Sequence, residues 1–187
     1  MAEWSRVARR IRVPLGFALA VLYFWLARPS IRLIGLGLIL IVPGLIIRAM
    51  ASGHVRKNET LATTGPYAYT RNPLYLGSLL IALGFAVAAR SWWMVVAIVV
   101  MFLTIYLPVI RSEEAYLRST FPEFDEYAMN VPRMLPRIRP WHPSSGTLQN
   151  DGKFSLDLYL KHREYNALLG TFSLLAGLLA KMVLLKN

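Results

Sequence analysis

Two adjacent carboxylates, Glu113 and Glu114, sit one turn beyond a long apolar run. A carboxylate held at the edge of an apolar block is a receptor for a cationic group. On one helix, neighbouring carboxylates point about 100° apart, so at most one of the pair faces inward squarely. The commoner fate of such a pair is a solvated helix end. Upstream lies a second polar stretch, residues 59–77, wedged between apolar runs and rich in Thr and Tyr. It carries Arg71, which suits an anionic group, and Asn72, which hydrogen-bonds but takes no proton. Other chemistries are excluded. There is no cysteine, hence no thiolate nucleophile, no disulfide and no thiolate-bound zinc. His54, His142 and His162 show no metal-ligand spacing.

The elements that must position these groups read as membrane helices. The chain is 56% hydrophobic and its apolar residues come in long blocks, which is a membrane composition. A net charge of +11 could indicate nucleic acid. Beside apolar blocks, basic residues instead serve topology and contact with anionic lipid, so no nucleic-acid partner is expected. The patterning predicts an all-α bundle in a single domain, with five transmembrane helices over 13–27, 33–47, 73–89, 93–110 and 166–185. Segments 48–72 and 111–140 form the site, and 141–152 is a linker. Arg28, Pro29 and Arg32 break the first two spans into a hairpin. Gly65-Pro66 signals a turn, and Asn72-Pro73 a helix start. Tyr67, Tyr69 and Tyr75 would serve as aromatic anchors if this were only an interfacial loop. Gly35, Gly37 and Gly44, then Gly77 and Gly84, allow close helix approach, and Pro43 is a candidate kink. Gly170, Ser173 and Gly177 make a candidate seam on the last span.

The fourth span has no breaker before Pro122, so it should continue past the apolar run and carry the Glu pair out of the membrane. With the N-terminus in the cytosol, sixteen of the 21 Lys and Arg fall in cytosolic segments. The positive-inside rule therefore predicts an inner-membrane protein with N-terminus and site cytosolic and C-terminus outside. Both polar segments then share one face, open to a soluble cofactor and, from the side, to a lipid.

Residues 60–67, Thr-Leu-Ala-Thr-Thr-Gly-Pro-Tyr, and 71–77, Arg-Asn-Pro-Leu-Tyr-Leu-Gly, with Glu113-Glu114, Leu117, Phe121, Tyr127, Val131-Pro132-Arg133 and Pro136, form two linked motifs. They resemble the integral-membrane methyltransferases of the isoprenylcysteine carboxyl methyltransferase and phospholipid methyltransferase type. The resemblance implies S-adenosylmethionine at the cytosolic edge, with S-adenosylhomocysteine as product. It implies that Glu59, Thr60, Leu61, Ala62, Tyr67, Asn72, Pro73, Leu74 and Tyr75 cradle the cofactor. Glu113 would hold its amino group. Arg71 would orient or neutralise an anionic group of cofactor or substrate. Glu114 would assist a nucleophilic amine or fix Arg71.

Two departures bear on the acceptor. Asn72 stands where the family usually has His, which removes an acid–base role. Val109 stands where the prenylcysteine enzymes place an Arg, with Arg111 on another helix face, which leans towards a lipid amine. The amine's phosphate partner would be the basic rim of Arg48, Arg56 and Lys57. The acceptor is expected to be a lipophilic membrane molecule, either a phospholipid amine or a prenylcysteine-like carboxylate. The fifth span lies beyond the motifs and is expected to pack on the bundle, form a homodimer, or wall a lipid entrance. A sterol-type nicotinamide-dependent reductase shares part of the first motif but not the second. A non-enzymatic scaffold would leave the charges as interface residues.

Overall fold

The computed structural model describes residues 2–56, 59–142 and 152–184. Among them every regular element is helical. The longer helices are α1 (Ala2–Leu26), α2 (Ile31–Ser52), α3 (Pro73–Ala88), α4 (Trp92–Met101) with α5 (Leu107–Thr120), and, further on, α8 (Tyr165–Leu184). The short helices α6 (Phe124–Asn130) and α7 (Leu156–Lys161) lie between α5 and α8. Three stretches are long and apolar enough to cross a membrane: Ile31–Ser52, Trp92–Thr120 and Tyr165–Leu184. Two shorter apolar helices, Val13–Leu26 and Pro73–Ala88, accompany them. The outer surface is apolar, with Phe17, Val21 and Phe172 all more than three-fifths exposed. Trp25, Trp92 and Trp93, exposed together at one end of the bundle, form a belt of the interfacial kind.

α2 and α3 make the tightest pair. A Cβ built on Gly37 would lie 2.5 Å from the Gly84 carbonyl oxygen, and one on Gly44 would lie 2.7 Å from that of Gly77. The reverse distances are both 2.6 Å. Seven residues, two turns, separate the glycines on each helix, so both contacts fall on one antiparallel line. Gly35, expected to join this packing, meets nothing within 4 Å, because it projects off that line. α2 runs unbroken through Pro43, and Ser30 caps its start by accepting from the Leu33 amide.

The fourth helix contains a feature absent from the sequence reading. Phe102–Tyr106 winds as a π-turn between α4 and α5. Pro108 explains it: proline has no N–H and crowds the carbonyl four residues back. That carbonyl belongs to Thr104, and it accepts instead from the Trp4 indole at 2.9 Å. The basic segment before residue 13 thus has a structural task. It is helical and packs Ala8 against Ile105 and Val109.

α1 and α3 finish at the same end, where the Arg28 amide donates to the Ala89 carbonyl. α8 reaches that end too. The Lys181 ammonium donates to the carbonyls of Phe24 and Trp25, at 2.5 and 3.0 Å, and lies 5.5 Å over the Phe24 ring. These are unpaired carbonyls of the last turn of α1, so the single charge inside α8 is a helix cap. Gly177 approaches the Phe24 ring. Gly170 meets nothing within 4 Å and Ser173 is exposed, so the expected three-residue seam reduces to one contact.

The opposite end carries a polar cap. Leu61, Phe124, Tyr127, Val131 and Trp141 form a small apolar core there. Trp141, at the start of the expected linker, belongs to this core; residues 143–151 lie outside the described residues.

The glycine line is testable. Gly84→Ala forces a methyl against the Gly37 backbone and should cost about 1–3 kcal/mol, in the range of overpacking. Gly35→Ala enters open space and should cost nothing, or add about 0.5–1 kcal/mol through helix propensity. Thermal unfolding of both variants in detergent reads the contrast.

Candidate functional site

Two chain segments distant in sequence run side by side at the cap. The Arg71 amide donates to the Pro132 carbonyl at 2.9 Å, the Arg137 amide to Tyr69 at 3.0 Å and the Trp141 amide to Ala68 at 3.0 Å. The Thr70 hydroxyl donates to the Arg133 carbonyl, and the Tyr127 hydroxyl to the Tyr67 carbonyl at 2.8 Å. An irregular backbone is satisfied in this way, as it must be beside a bilayer. Gly65, at φ +57, makes the turn that starts it, with the His54 ring packed where a side chain would go.

Beneath this layer lies a cavity of about 900 Å³. Thr60, Leu61, Ala62, Tyr67, Arg71, Asn72, Pro73, Leu74, Tyr75, Glu113 and Glu114 all line it. Glu59 does not: it is exposed and outside the wall. It sits in the turn that leads into the layer, one residue before the chain turns inward. Tyr67 and Tyr75 point into the molecule, whereas Tyr69 is 37% exposed and matches an interfacial anchor.

The two glutamates have different environments. Glu114 is 5% exposed. Arg133 donates to its Oε2 from Nε at 3.0 Å and Nη2 at 2.8 Å, and the Asn72 amide donates to Oε1 at 3.1 Å. Arg71 Nε lies 3.7 Å from the same Oε1. Glu114 is thereby enclosed by protein partners, the geometry of a group that fixes Arg71 rather than one presented to an acceptor. Asn72 donates its remaining N–H to the Arg133 carbonyl at 3.1 Å, so both its donors serve the protein. Burial holds the Arg71 guanidinium below its usual pKa, with Glu114 opposing. The hydrogen bond to Glu114 raises that of Arg133. Arg71 Nε is buried with no hydrogen-bond partner.

Glu113 faces the cavity. Its Oε1 accepts from the Tyr75 hydroxyl at 2.9 Å, and among the described residues no cation pairs with it. Tyr67 stands close by. Burial pushes its phenol well above the ordinary tyrosine pKa, and the nearby charges of Glu113 and Glu164 push the same way. Val109 is fully buried and packs with Ala8 and Ile105, and Arg111 is exposed.

Several residues of the site were not singled out from sequence. Arg133 lay in plain view in the Val131-Pro132-Arg133 motif without an assigned role. Arg48 was assigned to a headgroup rim, but here it points into the cavity and pairs with Glu164. Ser78, Tyr106, His162 and Glu164 also line it, with Val13, Gly16, Phe17 and Ala20 of α1, and so does Arg56 of the expected basic rim. Lys57 lies outside the described residues.

A model of the phospholipid methyltransferase family matches residues 11–123. The chain belongs to the phospholipid methyltransferase family. This family places it among membrane methyltransferases, and the apolar helices fit a membrane protein. It is 38% identical over 136 residues to the cobalt-zinc-cadmium resistance protein CzcN of Cupriavidus metallidurans, covering 68% of this chain and 62% of that one. It is 36% identical over 103 residues to the nickel-cobalt-cadmium resistance protein NccN of Alcaligenes xylosoxydans xylosoxydans, covering 55% and 48%. It thus spans less than two thirds of the length of either relative. To the protein-S-isoprenylcysteine O-methyltransferase of Schizosaccharomyces pombe it is 32% identical over 83 residues, covering 44% and 35%. No solved structure matches. The family match ends inside the cap, so Arg133 and Glu164 lie beyond it.

Removing the Arg133 fork leaves a buried carboxylate under-satisfied. Arg133→Met should lower stability by roughly 1.5–3 kcal/mol, the scale of hydrogen bonds to a charged group. Combined with Glu114→Gln, the losses should be less than additive, because both changes break one network. Denaturation of the four proteins of this cycle measures the coupling.

Proposed function

We propose that the chain transfers a methyl group from S-adenosylmethionine to a lipophilic acceptor drawn from the bilayer. One observation carries the reading. The cavity of a chain in a methyltransferase family presents a carboxylate without a cation, Glu113, and, on the same wall, a buried guanidinium nitrogen without an acceptor, Arg71 Nε. The amino-acid end of S-adenosylmethionine is a zwitterion that complements both: Glu113 takes its ammonium and Arg71 its carboxylate. A buried donor lacking its acceptor costs free energy, and such a ligand removes that deficit at Arg71 while giving Glu113 a cation. Tyr67, Leu61, Ala62 and Leu74 supply the apolar and aromatic wall that suits an adenosine. When bound, the cofactor supplies an electrophilic methyl on sulfur. The residues contribute positioning and exclusion of water. Glu114 keeps Arg71 and Asn72 in register and takes no proton from the acceptor.

In this reading five helices cross the membrane: α1 from Val13 onwards, α2, α3, the α4–α5 helix and α8. They alternate in direction between the tryptophan belt and the polar cap. The cap is assigned to the cytosol by its basic residues, in an inner membrane. Val109, apolar and fully buried where the prenylcysteine enzymes place an Arg, offers a free carboxylate no cation, which favours a lipid amine as the acceptor. Among the described residues, no group of three His, Asp or Glu could hold a metal ion.

Two measurements test the proposal. Glu113→Gln should weaken S-adenosylhomocysteine binding by roughly 1.5–3 kcal/mol, about ten- to a hundredfold. Calorimetry on folded protein reads it, and an unchanged affinity removes Glu113 from the site. Single cysteines at positions 64 and 90 report orientation. An impermeant thiol reagent on intact cells should label position 90 and spare 64; the opposite pattern inverts the topology.

A further inference from the structure

The wall of the cavity contains a second pair of opposite charges, apart from the Glu113 and Glu114 cluster. Arg48, on the last turns of α2, donates from Nε to Glu164 Oε1 at 2.5 Å. Glu164 stands between α7 and α8, beyond the residues the family model matches. Its side chain is 10% exposed and that of Arg48 is 23% exposed.

Both partners are held in place. Arg48 also donates from Nη1 to the Ser78 hydroxyl and to the Leu74 carbonyl. Its stem crosses α3 at Gly77, where a Cβ would lie 2.6 Å from Arg48 Cγ. Glu164 is anchored by the segment before it. The Ser155 amide donates to the Gly53 carbonyl at 2.9 Å, a His162 ring nitrogen lies 3.1 Å from the Ser52 carbonyl, and the Phe154 ring covers Gly53. So an ion pair that closes no core and caps no helix is fixed in a cavity wall.

The pair stands where that cavity turns towards the membrane. A narrower apolar pocket of about 210 Å³ shares Gly16, Ala20, Tyr75, Ser78 and Tyr106 with the large one. It continues between α1, α3 and α4 to Tyr23, Phe85 and Leu174. Tyr75 to Phe85 spans ten residues of α3, about 15 Å along the axis. Ser78 lines both spaces and carries a hydrogen bond from Arg48. α1 and α8 meet at the far end, through Lys181 and Gly177, whereas at the cap Phe17 and Glu164 border the same open space.

We propose that Arg48 and Glu164 form a headgroup subsite for a zwitterionic membrane lipid bearing a phosphate and an amine. This rests on the acceptor reading above and names the residues that select the acceptor. Arg48 takes the phosphate and Glu164 the ammonium, while one hydrocarbon chain occupies the apolar pocket. Such a headgroup exchanges one ion pair for two, so neither charge is left alone. An anionic lipid without an amine offers Arg48 a partner but sets its phosphate against Glu164. That repulsion is the selective element. Glu114 cannot serve the amine, since Arg133, Asn72 and Arg71 already enclose it.

The test is native mass spectrometry of the full chain in detergent with equimolar phosphatidylethanolamine and phosphatidylglycerol. The unsubstituted protein should retain phosphatidylethanolamine in preference. Glu164→Gln should reverse the order, with the ratio moving by roughly tenfold or more, the equivalent of one charge-assisted hydrogen bond. The inference is overturned if the unsubstituted protein holds the two lipids equally or prefers phosphatidylglycerol, a result that needs no variant to fold. It is also overturned if Glu164→Gln melts normally and leaves the ratio unchanged. S-adenosylhomocysteine calorimetry on the unsubstituted protein separates the two readings. If the nucleoside fails to bind while the lipid order and its reversal stand, the cofactor reading falls and the subsite remains.

Discussion

The contact of two helix backbones through four glycines governs what the rest of the molecule can do. Gly37 meets Gly84 and Gly44 meets Gly77 so closely that no side chain fits between them. In lipid, where apolar faces gain little by meeting one another, packing of this kind is a main source of helix association. It also fixes register. Arg48 is one turn beyond Gly44, so it must emerge over Gly77 and Ser78. Asn72 and Pro73, one turn before Gly77, must lie at the mouth of the cavity. The site inherits its geometry from a backbone crossing that contains no polar side chain.

A second dependence runs through Glu114. It ties the 70–73 turn, the exposed end of α5 and the strand-like segment around Arg133 into one network. A buried ion pair is weak evidence for stability, because desolvation offsets the attraction. Its value here is specificity of arrangement: a helix and two irregular segments meet in one way that satisfies both carboxylate oxygens. The neighbouring Glu113 is left to face the cavity. One helical step of about 100° therefore separates a structural carboxylate from one open to a ligand.

Much of this was legible in the residues. Apolar runs marked the helices, the absence of a breaker before Pro122 marked the long α4–α5 helix, and the Gly65-Pro66 and Asn72-Pro73 signals marked the turns. Those features are local, and local sequence reports them. The roles of the two glutamates were not separable, because that depends on Arg133 lying opposite one of them. The Arg48–Glu164 pair joins residues more than a hundred positions apart, with no spacing rule to announce it. Gly35 and Gly170 show the converse: a small residue permits close packing without requiring it. The π-turn had a visible cause in Pro108, but not a visible partner, since the Trp4 indole that accommodates it arrives from α1. Lys181, the single charge inside α8, caps a different helix, a partner no local pattern announces.

The position of α8 also has a consequence for how the molecule is assembled. It is made after the other four apolar helices, yet it follows directly on Glu164 of the cavity wall, contributes Leu174 to the narrow apolar pocket and fastens the end of the helix made first. Until it inserts, α1 keeps its terminal carbonyls unpaired and Arg48 lacks its carboxylate. Synthesis of the earlier helices thus yields a bundle with its polar cap in place but its flank open to lipid.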